Sequence, residues 1–186
     1  SSIISALEAA AQSGKKVSVF VELKARFDEE NNLRLSERMR RSGIRIVYSM
    51  PGLKVHAKTA LILYHTPAGE RPQGIALLST GNFNETTARI YSDTTLMTAN
   101  TDIVHDVYRL FRILDGDPEP ARFSRLLVAR YNMGEAITNL IEREIENVKR
   151  GKRGYMLLKM NGLQDKNVIT QLYRASEAGV GIDLIV

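Results

Sequence analysis

Apolar residues recur at helical spacing from the start of the chain. Ile3, Ile4, Leu7, Ala10 and Ala11 fall on one stripe, and Gly14 is a stop signal. The apolar, β-branched run from Val17 to Leu23 then reads as a buried strand. Asp28 stands where it can cap a second helix, roughly Glu29 to Ser42, closed by Gly43. Ile44 to Tyr48 reads as a short strand and Val55 to Tyr64 as a longer one, followed by a turn-rich link from Pro67 to Gln73. Further strands are predicted at Gly74 to Thr80 and Thr94 to Thr98, and helices at about Asp102 to Leu114 and Glu135 to Arg150. Asp117-Pro118-Glu119-Pro120 and Gly151-Lys152-Arg153-Gly154 read as breaks. This alternation predicts an α/β fold, a mixed sheet flanked by helices.

The pattern also repeats. The segment Ile3 to Val21 aligns without a gap on Val168 to Val186. Ile4 corresponds to Ile169, Leu7 to Leu172, Ala10 to Ala175 and Gly14 to Gly179. Val17, Val19 and Val21 then correspond to Ile182, Leu184 and Val186. Any helix–glycine–strand unit has similar spacing, but Tyr155 to Met160 adds a strand ahead of the second copy. The expectation is a first domain over 1–153 and the start of a second, similar domain over 154–186, cut before its own functional loops.

Composition narrows the class. The 186 residues are 44% hydrophobic and 25% charged, an ordinary globular profile. No apolar run approaches the ~20 residues that span a bilayer, and Ser1 to Ala11 lacks the basic start of a signal peptide. The chain has no cysteine, which excludes disulfides, thiolate metal sites and a cysteine nucleophile and fits a reducing compartment. The net charge of +5 favours a polyanionic partner: nucleic acid, an acidic membrane surface or phosphates.

Of the three histidines, His105 lies on a predicted helix as a surface or boundary residue, and His65 ends a strand beside a turn. His56 differs, because it lies in Lys54-Val55-His56-Ala57-Lys58 at the start of a predicted strand. Strand alternation would put Lys54, His56 and Lys58 on one face. Two ammonium groups beside an imidazole disfavour its protonated form, and a neutral imidazole is a competent nucleophile. The same lysines would hold an anionic substrate. A basic edge strand that happens to contain a histidine is the plainer reading of this motif alone. Roughly twenty residues on comes Ser79-Thr80-Gly81-Asn82-Phe83-Asn84. Gly81 permits close backbone approach, and Asn82 and Asn84 offer neutral amide donors to phosphate oxygens.

H-x-K followed by G-N-x-N resembles the phospholipase D superfamily, whose histidine–lysine motif forms a covalent phosphohistidine. That superfamily also has an aspartate, as H-x-K-x4-D. Here Thr59-Ala60-Leu61-Ile62-Leu63 follows Lys58, so the carboxylate is missing and a plain phosphodiesterase is disfavoured. The chain is more similar to bacterial polyphosphate kinase of the phospholipase D-like type. The resemblance rests on Val21 to Glu30, Gly52 to Lys58, Thr80 to Tyr91 with Ser92-Asp93, and Lys159 to Asp165, in family order.

The resemblance implies a phospholipase D-like α/β fold in two tandem domains, with this chain the first and the beginning of the second. It implies that His56 takes the γ-phosphate of ATP and passes it reversibly to inorganic polyphosphate. Arg26 matches an arginine of the phosphate and magnesium region, and Tyr91 matches a tyrosine at the nucleotide site, where its ring could pack on adenine. Lys58, Asn82 and Asn84 match phosphate contacts. Asp93 is our candidate to orient the imidazole in place of the missing motif aspartate, though an exposed turn carboxylate is the simpler account. Mg2+ would arrive with ATP, bridging its phosphate oxygens. Glu22, Asp28, Glu29 and Glu30 are close in sequence but are not read as a metal site. The resemblance further implies ATP or ADP and polyphosphate as substrates, no specific nucleic acid, a homo-oligomeric full-length protein and a cytoplasmic location, with room for peripheral association at the inner membrane. Two alternatives stay open. One is a phosphodiesterase or nuclease that pairs two single-motif chains. The other is a non-catalytic module holding polyanions through Arg38, Arg40, Arg41 and Arg45.

Overall fold

Five helices of this chain end in the same way. At the first, the amide of Lys15 reaches the Ala10 carbonyl (3.1 Å) and that of Gly14 reaches Ala11 (3.0 Å). The repeat copy makes the matching pair, Val180 to Ala175 and Gly179 to Ser176, both 3.0 Å. Gly14 and Gly179 adopt φ of +84° and +93°, the left-handed conformation that this helix stop requires. Gly43, Gly116 and Gly151 end the other three helices with φ of +83°, +95° and +75°. The shared punctuation is therefore common to the five α-helices among the described residues and does not by itself single out the repeat.

The computed structural model describes residues 2–22, 29–49, 54–117 and 122–186. Two compact units make up the chain, Ser1–Arg125 and Leu126–Val186. The break read at Gly151 to Gly154 falls inside the second unit, because the helix before it packs with that unit's helix and strands.

In the first unit, α1 (Ser2–Gln12) leads to β1 (Ser18–Val21), then α2 (Glu29–Arg41) and β2 (Arg45–Tyr48). β1 and β2 are parallel, with Val21 opposite Tyr48. Next come β3 (Lys58–Leu63), β4 (Gly74–Ser79) and β5 (Thr95–Thr98), an antiparallel sheet in the order β3-β4-β5. α3 (Thr101–Leu114) follows, its N-terminus capped by the Asn100 carboxamide, which accepts from the amides of Asp102 and Ile103 (both 3.1 Å). α3 packs on β3 and β4, and Ala76, Val104 and Val107 are fully buried. At the α2–β2 junction, Met39 and Ile44 are buried.

In the second unit, α4 (Met133–Lys149) precedes β6 (Tyr155–Lys159), α5 (Lys166–Glu177) and β7 (Gly181–Ile185). β6 and β7 are parallel, and α5 is the crossover. Ile141, Ile145, Leu172, Ala175 and Val180 form the core of this unit. Asp165, the last residue of the Lys159 to Asp165 motif, caps α5 by accepting from the Val168 amide (2.9 Å).

The mixed α/β fold read from the sequence is the fold observed. Its sheet is divided, however: among the described residues the strands form three small sheets rather than one. The strand expected from Val55 begins at Lys58, because β4 ends at Ser79, opposite Lys58, and offers the earlier residues no ladder partner. Alternation therefore does not set the faces of Lys54 and His56. Asp28, the expected cap of α2, lies outside the described residues.

Candidate active site

Antiparallel pairing gathers the candidate residues at one edge of the three-stranded sheet. Lys58 begins β3, Ser79 ends β4 and Thr95 begins β5, and the three stand in one row across the ladder. His56 immediately precedes this edge, and the β4–β5 connection, with Asn82, Asn84, Tyr91 and Asp93, emerges from it. Residues far apart in sequence thus reach one place through a hairpin register.

Segment 54–57 has no regular structure, and His56 is exposed. Among the described residues its ring makes no hydrogen bond; its backbone carbonyl accepts from Lys58 Nζ (2.7 Å). Burial holds the Lys58 ammonium below the usual lysine range, and the Asp93 carboxylate partly offsets this. Ser79 and Thr95 hydroxyls are 2.9 Å apart in the same row. Sequence reasoning passed over this pair, whose signal is the register of β4 with its neighbours.

The connecting loop is internally braced. Asp93 Oδ1 accepts from the Thr80 hydroxyl (3.0 Å), whose oxygen in turn accepts from the Thr94 amide (3.0 Å). The Gly81 amide donates to Ser79 Oγ (3.1 Å). Asn84 Oδ1 accepts from the amides of Thr86 (2.9 Å) and Thr87 (3.1 Å), starting a short 3-10 turn at Thr87–Arg89. The acceptor end of this carboxamide is therefore engaged in the turn, which turns its role toward the Nδ2 donors. Asn82 is exposed. Tyr91 is not a core aromatic: it is 66% exposed, beside Ile90 at 73%, on the same loop as Phe83 at 44%.

The structure thus brings His56, Lys58, Asn82, Asn84, Tyr91 and Asp93 to one edge. It does not hydrogen-bond Asp93 to the His56 ring; that carboxylate serves Thr80 and acts on Lys58. Arg26, with the phosphate and magnesium region assigned around it, lies outside the described residues. Among the described residues no group of His, Cys, Asp or Glu side chains could hold a metal ion.

Each arginine of the basic cluster behind the polyanion-module reading is paired with an acid, two of them sharing one. Arg38 pairs with Glu8, Arg40 and Arg41 with Glu37, and Arg45 with Asp115 at 2.6 Å. No helix among the described residues is long and apolar enough to cross a membrane.

Comparison with known proteins gives the family. The family pattern described as polyphosphate kinase C-terminal domain 1 matches residues 1–120, and that for C-terminal domain 2 matches residues 126–186. The chain belongs to the polyphosphate kinase family. The two family patterns meet where the compact units divide. Polyphosphate kinases of Halalkalibacterium halodurans and Escherichia coli are 42% and 41% identical over all 186 residues, covering 26% and 27% of those proteins. A crystal structure of polyphosphate kinase from Porphyromonas gingivalis superposes with a TM-score of 0.90 at 99% identity, covering 99% of this chain and 30% of that one. The chain therefore spans about a quarter of the length of the curated relatives it matches.

Proposed function

We propose that this chain carries part of the active site of a polyphosphate kinase, which transfers the γ-phosphate of ATP reversibly to inorganic polyphosphate through a phosphohistidine at His56. The observation that carries the reading is the gathering of His56, Lys58 and the Gly81–Asp93 loop at one sheet edge in a chain of this family.

In the first step, an imidazole nitrogen of His56 attacks the γ-phosphorus with its lone pair. The bond to the bridging oxygen breaks, and its electron pair leaves on ADP. In the second step, a terminal oxygen of polyphosphate attacks the phosphohistidine, and the P–N pair returns to the imidazole. Splitting the transfer in this way replaces one hard step with two easier ones. The other residues supply position and charge. Lys58, half-buried and with a lowered proton affinity, donates to a phosphate oxygen. Asn84, whose acceptor oxygen is held by the 3-10 turn, donates through Nδ2, and Asn82 adds a neutral donor beside it. Tyr91 offers an exposed ring to adenine, with Phe83 and Ile90 on the same loop. Arg26 is assigned to phosphate by family resemblance. Magnesium, carried with the nucleotide, would supply further neutralisation of phosphate charge.

The test uses the full-length protein that carries this sequence. It is incubated with γ-labelled ATP and magnesium, quenched in alkali to preserve phosphohistidine, and mapped by peptide. Label on the peptide containing His56, transferable to ADP and to polyphosphate and lost in His56→Ala, is expected. Absence of label there in a folded, nucleotide-binding protein would reduce the reading to shared fold.

A further inference from the structure

We propose that Glu22 is a positioning residue for the His56 nucleophile, an inference that rests on the function proposed above. Glu22 follows β1 directly, at the C-terminal edge of the parallel β1–β2 pair. Its Oε2 accepts from the backbone amide of Val55 (3.1 Å), and its Oε1 accepts from the Ser49 hydroxyl (2.9 Å). Ser49 is itself fixed, because its amide donates to the Val21 carbonyl (3.2 Å). The Glu22 carbonyl accepts from Asn32 Nδ2 on α2 (3.3 Å), so the backbone beneath the carboxylate is held as well.

The segment that Glu22 grips is the one without a ladder. Residues 54–57 precede β3 and have no strand partner among the described residues. Two side chains bracket the histidine instead. Upstream, the Val55 N–H is bound by Glu22; downstream, the His56 C=O is bound by Lys58 Nζ. A carboxylate on a backbone amide is a charge-assisted hydrogen bond, stronger than a neutral one. Transfer to a histidine nitrogen requires the attacking atom within ~3–3.5 Å of phosphorus and in line, and a misplacement of ~1 Å can cost about 100-fold. Glu22 thus ties the nucleophile's backbone to the parallel pair, while Lys58 ties it to the antiparallel sheet. Each carboxylate oxygen receives a donor from a different one of the two segments it joins.

The test measures single-turnover formation of phosphoenzyme in the full-length protein, with KM for ATP taken separately. In Glu22→Gln, phosphoenzyme should form about 10-fold or more slowly, with KM within about 2-fold and the pH profile unchanged in shape. Ser49→Ala, which leaves the carboxylate in place but loosens it, should lie between this variant and wild type. The double variant should be no slower than Glu22→Gln, because Ser49 acts only through Glu22. Thermal melts establish that each variant is folded. If Glu22→Gln does not fold, Ser49→Ala decides, and a wild-type rate there overturns the proposal. A wild-type rate in folded Glu22→Gln also overturns it, as does a rise in KM with kcat unchanged. His56→Ala separates the two levels: persistence of label in that variant removes the nucleophile assignment itself, whereas loss of label there with normal Glu22 variants removes only the bracket.

Discussion

The Asp93 side chain occupies the space that a β-carbon on residue 81 would need. Such a carbon at Gly81 would collide with the Asp93 carboxylate and lie 2.9 Å from the Asp93 Cβ. The clash reaches close to the backbone, so a rotamer change of Asp93 alone does not relieve it. Gly81→Ala should therefore push Asp93 away, break its bond to Thr80 and remove the charge that partly offsets the burial of Lys58. The expected cost is about 1–3 kcal/mol of stability, as for other overpacked sites, read from urea unfolding. Phosphoenzyme formation should fall by more than KM for ATP changes. Asp93→Asn keeps the shape and removes the charge, so it should slow labelling of His56 with little loss of stability. Undiminished labelling in that variant would remove Asp93 from the site.

The helix stops and the succession of helices and strands along the chain were legible because each rests on local chemistry. Gly14, Gly43 and Gly179 announce left-handed stops in the sequence, and the structure shows them as such. The H-x-K and G-N-x-N motifs were legible as types of chemistry, but their geometry was not. Alternation was applied to Lys54, His56 and Lys58 as if one strand held all three. Whether a strand reaches back to His56 depends on where β4 ends, and β4 ends at Ser79, opposite Lys58. Local hydrogen bonds were equally invisible. Nothing in Asn84-Glu85-Thr86-Thr87 separates an amide aimed at phosphate from one whose oxygen starts a 3-10 turn. Ser79 and Thr95 meet only through register, and Glu22 meets Val55 only through the meeting of two chain segments. The candidate site was legible as a list of functional groups, and not where it depends on pairing partners distant in sequence.

Asp106 holds the segment that ends the first unit. Only 1% exposed on α3, its carboxylate accepts from the Ser124 amide (2.9 Å), the Ser124 hydroxyl (3.3 Å) and the Arg125 amide (2.7 Å). A buried carboxylate is tolerated because donors surround it. Asp106→Ala would leave the two backbone amides without that acceptor. We expect a loss of at least about 2 kcal/mol in chemical denaturation, the scale of a hydrogen bond to a charged group with its donors left unsatisfied. The segment Phe123 to Arg125 should become a new site of limited proteolysis. An unchanged digestion pattern would show that α3 does not secure it.

His105 makes the stability of the first unit depend on pH in a defined direction. It is half-buried on α3, and its proton affinity is lowered first by burial and then by the Arg109 and Arg71 guanidiniums, with Asp106 and Asp102 opposing them. The folded pKa therefore lies below the ordinary histidine value of 6.5. Above that value neither the folded nor the unfolded chain holds the proton, and His105 contributes no pH dependence. As pH falls below it, the unfolded chain takes up a proton that the folded chain refuses. The unfolded state then binds more protons, and stability declines until pH passes the folded pKa. Urea midpoints from pH 7.5 down to pH 5 should therefore fall in wild type and fall less in His105→Gln, which cannot be protonated. Parallel curves for the two proteins would mean that the arginines and the burial around His105 do not control its proton.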